Sequence, residues 1–270
     1  MLSVPLLLAA AAIAGAPAPG GTDLAGNALE PLTAPPATGP DKAATGPLCS
    51  ADHRWCATID TAGPALVVQA GAPGRHGEGR FTLPAAGDDQ SYTLWPNIVL
   101  YGPEAASKGV TIIVGVQSER RTMYSGGEAA TSELTLYRFV FDGAKDPDIR
   151  EVLSTPISGS KMIRACFSQR DDDRRRGACH DQYDFDGALA LDPTTRAGPP
   201  EFTFTTLATS FPGRRTLDSD STTQPPLRQS DLKTVRDPVC SYRRAIRFDP
   251  ARQLYAFDQP PPACSDYLDL

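Results

Sequence analysis

The sequence predicts an all-β chain: an antiparallel β-sandwich or open barrel with long loops and minor helical turns, stapled by disulfides. Three observations carry this expectation. Apolar and polar residues alternate in several short runs, the period of a strand with one buried face. The 26 Pro and 23 Gly punctuate the chain so closely that long helices have little room. Six cysteines, Cys49, Cys56, Cys166, Cys179, Cys240 and Cys264, fall as three couples that are each close in sequence.

Along the chain, residues 2–16 form one uncharged apolar run, and Ala12, Ala14 and Ala16 offer small-x-small cleavage sites. Residues 1–16 therefore read as a signal peptide. At about 15 residues the run is short for a ~30 Å hydrocarbon layer. The first cysteine after it is Cys49, so a lipid anchor on an N-terminal cysteine is not expected. Residues 17–47 hold seven Pro and five Gly with no apolar periodicity, and read as a flexible Pro/Gly/Ala-rich tail. Residues 48–270 are then a single disulfide-stapled β domain.

Within that domain, residues 110–117 (VTIIVGVQ) are β-branched and nearly all apolar, as a strand buried on both faces requires. Residues 133–141 (ELTLYRFVF) alternate, and Gly126-Gly127 between the two runs predicts a hairpin with a long loop. Residues 183–191 (YDFDGALAL) put Tyr183, Phe185, Leu189 and Leu191 on one face and Asp184 and Asp186 on the other. Residues 201–206, 244–249 and 253–257 add further period-two pieces, the last two placed for a short hairpin. Helical patterning is confined to residues 230–236, behind Ser230 as N-cap, and a turn at 103–108. Residues 167–178 (FSQRDDDRRRGA) read as a solvated hairpin tip sealed by Cys166 and Cys179, and residues 210–231 as a long polar connection. A break into two small modules is open at 156–160 or 193–200.

Six cysteines allow 15 pairings. Short loops close most readily, which favours Cys49–Cys56, Cys166–Cys179 and Cys240–Cys264. The chain-entropy picture gives each about 2.5–3.5 kcal/mol. Zinc is the competing use, with His53 near Cys49 and Cys56, or His180 beside Cys179, but no C-x₂-C pair occurs. Neither a metal nor a cofactor is expected.

A pI near 5.1 and a net charge of −6 argue against a nucleic-acid binder, which needs a basic surface. A mean hydropathy of −0.28 argues against a polytopic membrane protein. Of the 26 basic residues 21 are Arg, several in runs: Arg120-Arg121, Arg174-Arg175-Arg176, Arg214-Arg215 and Arg243-Arg244. Converged, such forks grip carboxylates and phosphates; scattered, they pair with the 32 acidic residues, the commoner outcome. Ser158 and Lys161 satisfy S-x-x-K, but strand-like residues follow and no K-T-G exists. Cys179, His180 and Asp181 are a Cys/His/Asp run in sequence only, and an oxidised Cys179 is no nucleophile. Asp184 and Asp186 lie ~7 Å apart along a strand, within glycosidase carboxylate range. Asp218 and Asp220 are candidate loop ligands for calcium. Trp55, Trp95, Tyr92 and Tyr101 are candidates for a sugar platform, although core packing accounts for both Trp.

The expectation is an exported bacterial protein, periplasmic or secreted, that binds without catalysis to a protein, peptide or glycan of the cell envelope. The alternative is a secreted hydrolase of envelope glycan or peptide, using His180, Asp181, Asp184 and Asp186. An exposed contiguous apolar or aromatic patch favours the first, and a pocket joining those four residues favours the second.

Overall fold

The computed structural model describes residues 20–34, 46–71, 77–102, 109–143, 146–213, 215, 217 and 219–270. The predicted signal peptide, the turn at 103–108 and Asp218 lie outside them.

The described chain is mostly antiparallel strand. It runs through β1 (Gly21–Thr22), β2 (Ala28–Pro31), β3 (Leu48–Cys49), β4 (Trp55–Asp60), β5 (Ala65–Ala70) and β6 (Gly77–Thr82). β7 (Gln90–Leu100), β8 (Val110–Tyr124), β9 (Gly127–Phe141) and β10 (Asp148–Arg164) follow. After helix α1 (Gln169–Arg175) come β11 (His180–Leu191) and β12 (Phe202–Phe211). β13 (Val235–Arg236), β14 (Arg243–Asp249), β15 (Leu254–Phe257) and α2 (Ser265–Leu268) complete it. The long sheet has the order β1-β2-β7-β8-β9-β10-β11-β12-β14-β15, with β13 on β12; β3-β4-β5-β6 form a second, four-stranded sheet. The all-β antiparallel reading holds, as a sandwich-like fold without a closed barrel.

The pleat sorts the side chains into two cores. Ile112, Val114 and Val116 of β8 join Tyr137 and Phe139 of β9 beneath Ala57, Leu66 and Val68 of the small sheet. Trp55 reaches across to Phe141, ring centroids 5.3 Å apart. The alternate residues, Ile113, Leu134 and Leu136, face the other way. They meet Val152, Leu153, Phe202, Phe204, Ile246 and Tyr255, so the far strands fold back over the near ones. Tyr101 and Tyr255 share a hydroxyl hydrogen bond at 3.1 Å across this closure. Arg138 donates to Gln253 at 3.1 Å beside them, its guanidinium 5.6 Å over the Phe248 ring. A smaller cluster of Tyr183, Phe185, Ala208 and Tyr267 packs around Cys240–Cys264. Gly159 lets α2 lie there, because a Cβ on it would stand 2.4 Å from the Tyr267 carbonyl oxygen.

All three predicted pairings are present: Cys49–Cys56, Cys166–Cys179 and Cys240–Cys264. No free cysteine remains. Such usage fits a chain that folds in an oxidising compartment. No helix among the described residues is long and apolar enough to cross a membrane.

Four expectations need correction. The β8–β9 hairpin has a tight turn at Ser125 and Gly126, with Tyr124 opposite Gly127. The region around Pro156 is no module boundary: β10 runs through it, and the register shift between Pro156 and Ser158 accommodates the proline. Residues 230–236 hold a 3₁₀ turn (Gln229–Asp231) and then β13, not a helix.

The fourth correction concerns the N-terminal tail. Residues 21–33 belong to the sheet: β2 pairs with β7, and Leu29 and Leu32 are buried. A polar lock explains how so Pro/Gly-rich a stretch is ordered. Asp23 accepts from the backbone N–H groups of Ala25 (2.9 Å) and Asn27 (2.8 Å) and from the Asn27 side chain (2.8 Å). Asn27, fully buried, also donates to Gly198 O at 3.1 Å and accepts from Gly102 N at 2.8 Å.

A chain truncated to residues 48–270 is therefore expected to lose stability against one of residues 20–270. The two leucines alone account for about 3–6 kcal/mol. Urea denaturation measures the difference; equal midpoints would mean that β2 adds nothing.

Candidate functional site

His180, Asp181, Asp184 and Asp186 all sit on β11, held by the β10 ladder opposite Arg164, Ile163, Ser160 and Ser158 in that order. The pleat separates them. His180, Asp184 and Asp186 are exposed, whereas Asp181 points inward and is buried. The four do not converge, so the geometry a carboxylate hydrolase needs is not assembled by them. The Asp184 carboxyl is pushed above the ordinary carboxylate range, first by desolvation among its neighbours and then by the Asp186 charge. Ser158 and Lys161 lie on strand β10, not at the start of a helix. Both Trp are buried core residues and offer no sugar platform. Cys166, Asp172 and Cys179 bring ligand-type atoms within 4.8 Å of one another, but both sulfurs are spent in the disulfide.

The loop closed by that disulfide holds a short helix rather than a hairpin tip, exposed for much of its length. Ser168 caps α1 by accepting from Asp171 N at 3.3 Å. Asp171 accepts from the Ser168 hydroxyl at 2.9 Å and from Phe167 N at 3.1 Å. These bonds, the hydroxyl first, hold its carboxyl below the usual range. Arg176 ends the helix in the left-handed region at φ 55°.

The arginine triplet then turns inward. Arg175 is only 3 % exposed; its Nε donates to Ala178 O at 2.7 Å and its Nη2 grips Asp181, itself 1 % exposed. The Ser221 hydroxyl donates to the second Asp181 oxygen. Arg174 donates to Gln224 O at 2.9 Å, Arg176 donates to Leu227 O at 3.0 Å, and Leu227 N donates to Arg174 O at 2.9 Å. Arg215 holds Gln224 Oε1 at 3.0 Å and Pro225 O at 2.9 Å. The long polar connection is thus strapped onto α1. A small cleft, with room for about one water, lies between them, lined by Arg174, Arg175, Arg215, Ser221, Thr222 and Gln224. Within a charge run that reads as solvated in sequence, Arg175 alone is buried as a clamp, because the disulfide brings it to the start of β11.

Three of the exposed large apolar residues lie at the same end of the sheet, while Leu24, Leu207, Val239 and Leu270 are exposed singly elsewhere. Met123 and Tyr124, at the tip of the β8–β9 hairpin, are 78 % and 46 % exposed, and Phe167, just after β10, is 61 % exposed. Arg164 N donates to Gly126 O, tying the hairpin tip to the end of β10. The Arg164 guanidinium stacks 5.0 Å over the Phe167 ring. Met123, Glu128 and Met162 stand in one row across three strands.

Compared with known protein families, with curated proteins and with solved structures, the chain matches none.

Two outcomes follow from these geometries. Arg175→Ala or Asp181→Ala alone leaves a buried charge unpaired and is expected to cost about 3–5 kcal/mol. Arg175→Met with Asp181→Leu is expected to recover most of that in urea denaturation; a double variant as weak as the summed singles would show the pair uncoupled. Asp184, with its raised carboxyl, favours the folded state when protonated. Its contribution is present below the ordinary carboxylate value and is lost as pH rises through the folded one. Asp184→Asn should therefore raise the denaturation midpoint at pH 7 and leave it unchanged at pH 3.

Proposed function

We propose that the chain is an exported protein of a bacterial envelope, periplasmic or secreted, that acts as a non-catalytic binding domain toward an envelope protein, peptide or glycan. The observation that supports it is the exposed group Met123, Tyr124 and Phe167, displayed together at one end of a stiff frame. Large apolar side chains left in water are an interaction surface in a protein whose cores are otherwise well filled. Their placement is rigid: Met123 and Tyr124 end a long ladder, and Phe167 follows Cys166, anchored to Cys179. Rigid aromatic anchors lose little conformational entropy on binding. Three disulfides with no free thiol support export. The loop 210–231, the other candidate interface, is occupied in clamping α1.

The reading is tested by capture from an envelope fraction. The full chain is expected to retain a partner that the Met123→Ser/Tyr124→Ser/Phe167→Ser variant loses, while Asp184→Asn/Asp186→Asn keeps it. The tip variant should stay within ~0.5 kcal/mol of the parent, because the altered side chains are exposed. Loss of the partner in the carboxylate variant, with retention by the tip variant, would place the interface elsewhere.

A further inference from the structure

Sulfur is distributed unevenly in this chain. All six cysteines are locked in disulfides, so no thiol is left to react. The reduced sulfur of the described residues is that of two thioethers, Met123 and Met162. Both stand in one row of the long sheet, Met123 opposite Glu128 on β9 and Glu128 opposite Met162 on β10. Residues directly opposite share a face, so the two methionines flank Glu128 on the same side. Their exposure differs: Met123 is 78 % exposed, whereas Met162 is half-buried. Met123 therefore carries the one well-exposed reduced sulfur among the described residues, and carries it on the apolar tip.

A thioether has no proton to lose, so it stays a two-electron donor at any pH. Oxidation turns it from a flexible apolar group into a polar sulfoxide. In a core that change disrupts packing; on Met123 it alters only what the surface presents, because so little of this side chain is buried. A sulfoxide oxygen pressed against an apolar partner gives up hydrogen bonds to water and gets none back. Glu128, next to it across the ladder, is an acceptor only when ionised and cannot satisfy that oxygen.

We propose that Met123 is a reversible oxidation site that switches the tip between an apolar and a polar state, with a peroxide as the oxidant. The consequence for binding rests on the reading of the tip as the interface. The thioether lone pair attacks one oxygen of hydrogen peroxide, and the S–O bond forms as the O–O bond breaks. The departing hydroxide takes the proton left on the transferred oxygen and becomes water. Sulfur is oxidised by two electrons and the peroxide is reduced by two. A dithiol reductant reverses the step: its two thiols leave as a disulfide and the sulfoxide oxygen leaves as water.

The test treats the full chain with hydrogen peroxide and follows it by peptide mass mapping, by retention on a phenyl column and by capture from an envelope fraction. Met123 is expected to gain one oxygen atom about tenfold faster than Met162. Phenyl retention should fall with it, and methionine sulfoxide reductase with a dithiol should restore the mass and the retention together. Partner captured at limiting concentration is expected to fall about tenfold. Met123→Leu keeps apolar area without sulfur, and should hold both its retention and its partner through the same treatment; Met162→Leu should respond as the parent does. Equal rates at the two methionines, or a treated Met123→Leu that loses as much retention as the parent, would overturn the site. A parent chain that gains the oxygen on Met123 yet keeps its partner would overturn the switch. Should the untreated parent and its Met123→Ser/Tyr124→Ser/Phe167→Ser variant capture alike, the interface reading fails, and mapping with retention still decides the oxidation site.

Discussion

Tyr255 packing against Phe202 and Phe248, with its hydroxyl on Tyr101, marks the place where the long sheet meets itself. The inner face of β7, β8 and β9 cannot be buried by its neighbours in the ladder, which share its plane. It is buried by Val152 and Leu153 of β10 together with residues more than sixty positions further on, Phe202, Phe204, Ile246 and Tyr255. The outer face needs a separate cover and receives it from the four-stranded sheet. Aromatics make up only 7 % of the chain, so the few present are concentrated at this closure and at the contact between the sheets. Large rings fill more volume per ordered side chain than aliphatic residues do. Removing either cover would leave long apolar strands facing water.

The closure also decides what the surface presents. Once the middle of the sheet is clamped between its two covers, the outer half of the β8–β9 hairpin runs on beside the end of β10, more polar and less buried than its inner half. The start of β11 lies near the same end, through the ladder with β10 and the disulfide that encloses α1. The apolar tip and the arginine cleft are therefore held by one end of one frame. They use different physics: the tip leaves apolar area in water, whereas the cleft encloses charge away from it.

Much of this fold is legible in the sequence where burial is two-sided or strictly alternating. Residues 110–117 and 133–141 announce β8 and β9, and the alternation of Tyr183 and Phe185 with Asp184 and Asp186 announces β11. The disulfides follow from loop closure. Less visible are elements whose order comes from partners rather than pattern. Residues 118–122 of β8 are polar and none of them is buried, so only the backbone ladder makes them strand. β10 carries Pro156 and a shift of register, which breaks its periodicity at the point where it continues. β2 is four residues long and depends on Asn27, held by Asp23, bonding Gly198 and Gly102, far off in the chain. The candidate residues on β11 were visible as chemistry but not as geometry: Asp181 differs from Asp184 by three positions, hence by one face of the pleat. Nor does a run of three Asp and three Arg reveal which of its members will lose water.

The distance along the chain between the two halves of the inner core has a bearing on biogenesis. A polypeptide that emerges N-terminus first presents β7 to β10 long before Phe202, Ile246 and Tyr255 exist to cover them. Contacts of such sequence separation form late, since the intervening loop must first be closed. The interior consequently cannot seal until almost the whole molecule is available. A nascent chain of this kind keeps the strands of its inner core uncovered through most of its synthesis, and its three disulfides can close their loops only once the oxidising compartment that such bonds fit is reached.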